Sequence, residues 1–182
     1  MKKIRGAELL ALYASGRRDF SEVDISGADL FEANLPGIGL RGSNLQKAYL
    51  PYANLSQSDL QQAQIQAAQL SDTQLFQANL ENADLQEANL FRASLRRANL
   101  RGANLARANL QGADLGNADL SDANLSNADL SGANLNQANL NKAQLSGSNL
   151  FRSHNANLSD AYLDSSTIYP DGHRSNLQSE EG

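Results

Sequence analysis

The chain has no cysteine and no tryptophan, one methionine, three prolines, and aromatic residues at only 5% of its 182 positions. Without cysteine there is no disulfide, no thiolate nucleophile and no Cys-ligated zinc or iron–sulfur site. The lack fits a reducing compartment. No segment approaches the roughly 18 consecutive apolar residues that cross a membrane. Met1 to Arg5 is basic, but the apolar stretch after it is short, contains Glu8 and leads to no small-residue cleavage site, so no signal peptide is expected. The net charge of −5 favours solubility and speaks against nucleic acid as a direct partner. Together these features predict a soluble, cytoplasmic protein with no membrane partner.

What the chain has instead is a period. Every fifth residue from Phe20 to Leu150 is large and apolar, and 24 of these 27 positions are Leu, the others being Phe20, Ile25 and Ile65. Two residues earlier stands a mostly small residue, Ala in 20 of the 27 cases. Period five is neither the 3.6 of a helix nor the 2 of a plain strand. Wound as a helix, the Leu residues would spiral around the whole surface and form no buried stripe. The Asn and Asp before each Leu are turn formers that tolerate unusual backbone angles. A turn every five residues, with Leu and Ala inward each time, describes a coil with flat sides and corners. Repeats of this kind stack into a solenoid in which each layer buries the next. A core of Leu and Ala alone suits identical layers better than an ordinary globular interior, where unlike shapes interlock.

The run from Ala118 to Gly132, Ala-Asp-Leu-Ser-Asp, Ala-Asn-Leu-Ser-Asn, Ala-Asp-Leu-Ser-Gly, resembles the A(D/N)LXX motif of pentapeptide-repeat proteins. The resemblance spans about three quarters of the chain, as the repeat from Phe20 to Leu150 shows. It implies an all-β fold, a right-handed quadrilateral β-helix in which four pentapeptides make one coil of 20 residues and residues i and i+20 stack. About seven coils, about 4.8 Å apart, are then expected, with Leu80, Leu100, Leu120, Ala98 and Ala118 as typical interior residues. Residues 1–18 are expected to form a cap with a short α-helix over Gly6 to Ala14, stopped by Ser15-Gly16. Leu9 to Phe20 resembles the leader before the repeats in cyanobacterial members. Val23 and Ile38 enlarge the inward small position near that end. The continuous β-helix is expected over 19–150. After Leu150 the next apolar residues in step are Leu158, Leu163 and Ile168, so a bulge is placed at 151–155 and a final partial coil at 156–170. Tyr169-Pro170-Asp171-Gly172 resembles the family's closing turn. Residues 171–182 form a polar tail, expected to fray from His173 onward.

No catalytic constellation is visible. His154 and His173 have no fixed acid or nucleophile beside them in sequence. The Asp and Asn before each Leu, as at Asp114, Asp119, Asn124 and Asp129, are read as hydrogen-bonding their own turns rather than as a calcium ladder, which uses Gly-rich nonapeptides. Period six, which marks hexapeptide acyltransferases, is absent, and only Thr73 and Thr167 stand against the flat Thr arrays of ice-binding β-helices. No enzyme activity, cofactor, metal or small-molecule substrate is expected.

The outward residues are more informative. Arg92, Arg96, Arg97, Arg101 and Arg107 follow one another with no acid between them. On a 20-residue coil they become a belt. Asp72, Glu81 and Glu87 then lie one coil below Arg92, Arg101 and Arg107, and three inter-coil ion pairs are expected, while Arg96 and Arg97, above Phe76 and Gln77, are left to contact a partner. Phe31, Phe76 and Phe91 follow a core Leu and point outward, as does Phe151; Tyr49 and Tyr52 adjoin Phe31. The candidate interaction face is Phe31, Tyr52, Phe76, Phe91, Arg92, Arg96 and Arg97. The expected function is a non-enzymatic protein–protein interaction or regulatory scaffold with an unknown protein partner. The molecule is expected to be a monomer, or a weak dimer through its C-terminal end. The alternative is a DNA mimic that binds DNA gyrase, as some members do. The Arg belt, the near absence of core Phe and the lack of a C-terminal dimerisation helix speak against it.

Overall fold

The computed structural model describes residues 1–174. A two-residue strand β1 (Lys2–Lys3) and a nine-residue helix α1 (Gly6–Ala14) precede the first coil, and β1 pairs in parallel with β2 (Val23–Asp24). From there the backbone is a solenoid. Parallel bridges join each outward residue before a core Leu to the residue 20 further on, from Asp19↔Gly39 to Asn134↔His154 without a gap. The bridges fall in four columns, one per pentapeptide, so each coil has four sides and four corners.

One repeat shows why the motif has its form. The Ala98 N–H donates to Leu95 O at 3.0 Å and closes the preceding corner. Asn99 N–H donates down to Ala78 O (3.0 Å), and Leu100 N–H donates up to Asp119 O (2.7 Å). The Arg101 N–H, at the corner, makes no bond to a neighbouring coil and donates to Asn99 Oδ1 at 3.1 Å. The Gly102 N–H again donates up, to Ser121 O at 2.9 Å. Every donor of the repeat is therefore used, which a buried backbone requires. The Asp or Asn is favoured because its side chain reaches the first corner N–H. The same bond from Ser21 and Ser26, backbone N–H first, holds the Asp19 and Asp24 carboxyls below their ordinary pKa.

The Asx residues also speak to each other. The Asn134 Nδ2 donates to Asp114 Oδ1 at 2.8 Å, Asn139 Nδ2 to Asp119 Oδ1 at 2.9 Å, and Asn99 Nδ2 to Asn79 Oδ1 at 3.0 Å. An amide stacked above a carboxylate supplies the donor that a second carboxylate lacks. Among the described residues no Asp lies directly above another Asp in any column, which avoids like charges one strand spacing apart.

Inside, Leu80, Leu100, Leu120, Ala98 and Ala118 are all buried, as are Val23 and Ile38. Each buried Leu contributes roughly 1.5–3 kcal/mol. The helix α1 lies against the first coil, with Leu9 fully buried. A Cβ at Gly6 would stand 2.7 Å from Asp29 O, so only glycine permits this approach. The Tyr13 hydroxyl donates to Pro36 O at 2.7 Å and fastens the far end of the helix.

The second corner residue is left-handed throughout, for example Ala67 (φ 55), Gln77 (φ 56), Arg97 (φ 57) and Asn127 (φ 58). An L-residue is strained there by about 1–2 kcal/mol, and glycine is not. Ala67→Gly is therefore expected to raise stability by about 1 kcal/mol, against the usual penalty for adding glycine. Denaturant titration of both proteins checks the sign.

The end of the solenoid departs from the sequence expectation. The register runs on through His154, and the break comes at Asn155, which stands where the sequence period would put a core Leu but is exposed and left-handed (φ 57). Asn tolerates that left-handed geometry. Stacking then resumes two residues short, at Gln144↔Tyr162, and one short, at Asn149↔Ile168. Ile168 is consequently not a core residue: it takes the outward bridging place, while Thr167 turns inward and donates to Leu145 O at 2.9 Å. Leu158 and Leu163 are only partly buried. His173 and Arg174 do not fray. Tyr169 N–H donates to His173 O at 2.8 Å and Ile168 bridges Arg174 antiparallel. The rest of the expected tail, 175–182, lies outside the described residues.

This last coil holds a carboxyl whose ionisation is coupled to folding. The Asp164 carboxyl is held down to about 2, chiefly by the Ser166 hydroxyl against partial desolvation, with the Ser166 and Gly147 N–H groups assisting. Its unfolded value is ~3.9, so the folded state binds fewer protons. The stability it contributes is complete above about pH 4 and lost as pH falls towards about 2. The difference in melting temperature between the wild type and Asp164→Asn is expected to shrink over that window and to be constant above it.

Candidate interaction surface

The four corners carry the long side chains, and coil stacking decides what each one meets. Arg92 reaches down to Asp72, with Nε 2.8 Å from Oδ1, and Arg107 reaches down to Glu87 at 3.3 Å. The third expected pair does not form. Glu81 accepts from Gln61 Nε2 at 3.1 Å, on the coil below it, and Arg101 instead lies 3.9 Å from Asp122 on the coil above. Nor is Arg96 left without an acid: its Nε is 3.8 Å from Asp114 Oδ2. Gly116 stands directly above it, with Arg96 Cγ in ordinary contact distance of where a Cβ would be, 3.9 Å. The belt thus ties one coil downward at two corners and upward at the other two. All four Arg side chains are more than half exposed, so each pair contributes only ~0–1 kcal/mol. Among the described residues Arg97 has no ion pair.

The aromatic residues form separate groups. Phe31, Phe91 and Phe151 share one corner column, with Pro51 and Ser71 standing between the first two. Phe31 lies between two tyrosines: the Tyr49 ring is stacked at 6.1 Å between centroids and the Tyr52 ring is edge-on at 5.9 Å. All three are about half exposed. Phe91 carries the Arg92 guanidinium 5.5 Å from its centroid, and Phe151 carries that of Arg152 at 4.9 Å. Phe76, half-buried, occupies the next corner and does not join either group. The proposed face is therefore two patches on one corner, Phe31/Tyr49/Tyr52 and Phe91/Arg92, with Phe76, Arg96 and Arg97 around the next. Tyr49 belongs to the first patch because it stands above Asp29, on the side that leads into the corner of Phe31 on the coil below.

Among the described residues titratable groups do not converge elsewhere. His154 is exposed above Asn134, and His173 lies 3.3 Å from Asp171, whose carboxyl is held low mainly by the His173 N–H. Among the described residues no group of three or more His, Cys, Asp or Glu is placed to hold a metal ion, and no helix is long and apolar enough to cross a membrane. Partial burial alone would raise the Asp129 carboxyl, but hydrogen bonds from Gln111, Ser131 and Asn149 together hold it below the usual value. Its oxygens are thus engaged within the ladder.

Pentapeptide repetition, four-sided coils and the Asx ladder define a β-helical repeat protein. The profile described as Pentapeptide repeats (8 copies) matches residues 38–75, 68–105, 83–122 and 118–154, well over half of the chain. The chain belongs to the pentapeptide-repeat family, whose members are right-handed β-helix solenoids. Among solved structures it is similar to HetL from the cyanobacterium Nostoc sp. strain PCC 7120, a pentapeptide repeat protein involved in heterocyst differentiation regulation. The identity is 31% over 94% of this chain and 100% of that one, with a TM-score of 0.39. It is also similar to Rfr23 from the cyanobacterium Cyanothece 51142, at 27% identity over 88% and 96%, with a TM-score of 0.44. A trypsin-treated form of QnrB1, a plasmid-mediated fluoroquinolone resistance protein, shares 23% identity over 80% and 79%, with a TM-score of 0.55, a likeness of fold. Comparison with curated proteins finds no match.

Proposed function

We propose that the protein is a non-enzymatic scaffold that binds, and through binding regulates, another protein. About seven coils, closed at one end by α1, act as a rigid rod whose corners present side chains at fixed spacing. The observation that supports this most is the use of the backbone. The N–H groups on the sides bond from coil to coil and the interior is filled by Leu and Ala, so what remains for recognition is the pattern on the corners. There the exposed aromatics and arginines are residue types that dominate binding hot spots.

Mimicry of DNA towards gyrase is the competing reading. It needs an uninterrupted acidic face, and Arg92, Arg96, Arg101 and Arg107 place a cation at each of the four corners of one coil.

Affinity capture from extracts of the source cells tests the proposal, with the wild type set against a Phe91→Ala/Arg96→Glu double variant. A partner held by the wild type and lost by the variant is the expected result. Equal recovery of every partner with both proteins overturns the proposed face. Gyrase among the captured proteins supports mimicry instead.

A further inference from the structure

Three Phe residues occupy the same place on the same corner, at intervals of three coils: Phe31, Phe91 and Phe151. The residue after each stands in the same left-handed conformation, Glu32 at φ 53, Arg92 at φ 54 and Arg152 at φ 58. Its side chain therefore leaves the backbone from an equivalent position. At two of the three the follower is Arg, and its guanidinium covers the ring, 5.5 Å from the centroid at Phe91 and 4.9 Å at Phe151. At the capped end guanidiniums also lie over rings, though not from the following residue, with Arg17 4.7 Å from the centre of Phe20 and Arg18 4.0 Å from that of Tyr13. Phe31 is the exception. Where its own cation would stand there is a carboxylate.

We infer that the Phe31, Tyr49, Tyr52 and Glu32 surface receives a guanidinium from the protein partner. Ring faces attract a cation by their quadrupole, and three rings at 5.9 and 6.1 Å already form a half-exposed wall. Glu32 is exposed and has no ion pair among the described residues, so its charge is available. Guanidinium is preferred to ammonium because it is planar, sheds water more readily and engages a ring and a carboxylate at once. The other charges around the patch leave this arrangement open. Asp72, above Tyr52, is occupied by Arg92. Asp29, below Tyr49, shares a neighbouring groove with Lys3 and Arg5. Lys47 lies on the preceding corner. The partner's matching segment is therefore arginine-bearing.

The inference rests on the scaffold reading, and its test is separate from capture. The probes are two short peptides, acetyl-Arg-Gly-Arg-amide and its citrulline analogue, which keeps the shape and lacks the charge. Binding is read from the aromatic NMR signals of Phe31, Tyr49 and Tyr52 in the full-length protein. The arginine peptide is expected to produce saturable shifts at millimolar concentration, at least about fivefold tighter than the citrulline peptide. Glu32→Arg recreates the sequence found at Phe91-Arg92 and Phe151-Arg152, so the fold tolerates it. It is expected to cover Phe31 from within and abolish the shifts, and Phe31→Ala is expected to weaken binding about tenfold. Equal affinity for both peptides, unchanged binding by Glu32→Arg, or no saturable shift up to about 20 mM each overturns the inference. Such a failure together with a partner captured through Phe91 and Arg96 removes the guanidinium site and leaves the scaffold standing.

Discussion

Leu100→Asp is expected to destabilise the protein by more than about 4 kcal/mol and to break its cooperative unfolding. Leu100 is fully buried between Leu80 below and Leu120 above. Removing its side chain alone leaves a cavity that costs about 2–5 kcal/mol. The carboxylate adds a charge with no donor within the Leu column, and it must take up a proton or expel the coil. In a solenoid each layer holds only its neighbours. A failed layer at mid-rod therefore uncouples the two halves, and a single melting transition is expected to become two. The same substitution one residue on, Arg101→Asp, meets solvent. The Arg101 side chain is 62% exposed and its acid is 3.9 Å away, so the change is expected to cost no more than about 1 kcal/mol. Urea titration followed by circular dichroism distinguishes the two. A Leu100→Asp protein that melts once, near the wild-type midpoint, would show that the column is not the core.

Proline at neighbouring corner positions is expected to give the second large contrast. Pro36 and Pro51 already occupy the first corner place, where the ring's fixed φ is accepted. The N–H lost there is the one that otherwise bonds the Asx side chain, as Ser126 N–H does to Asn124 Oδ1 at 3.1 Å. Ser126→Pro is expected to fall within about 1 kcal/mol of the wild type. Asn127, the next residue, has φ 58 and donates its N–H to Ser146 O at 2.9 Å. Proline cannot reach positive φ and has no N–H. Asn127→Pro is expected to cost at least about 3 kcal/mol and to open the stack between that coil and the next. Thermal melts of the two variants decide it: similar midpoints would mean that the corner geometry is not rigid.

The solenoid could be read from the chain because its two requirements are local and repeat. A large apolar residue must return at each side, and in most repeats an Asx stands before it and serves the corner N–H. Repetition over Phe20 to Leu150 leaves no competing register. The same reasoning failed at the last coil. Spacing alone put Ile168 inside, but among the described residues no further coil stacks above to enforce the period, and Thr167, able to bond Leu145 O, takes the inward place.

The surface was legible only in part. Placing residues 20 apart on top of one another correctly paired Arg92 with Asp72 and Arg107 with Glu87. It misplaced Arg101 and Arg96, because a long side chain also reaches diagonally, to Asp122 and Asp114, and Glu81 is engaged by Gln61 beneath it.

By itself the sequence determined the family, the period, the identity of the interior and the position of every regular corner, since burying a Leu is worth more than any arrangement of exposed side chains. Tertiary structure alone decided which surface charges are satisfied and which stay available, including the carboxylate of Glu32 beside three uncovered rings. Those choices lie between partners on different coils, far apart in the chain, and differ by about 1 kcal/mol or less. The fold has to exist before they can be made.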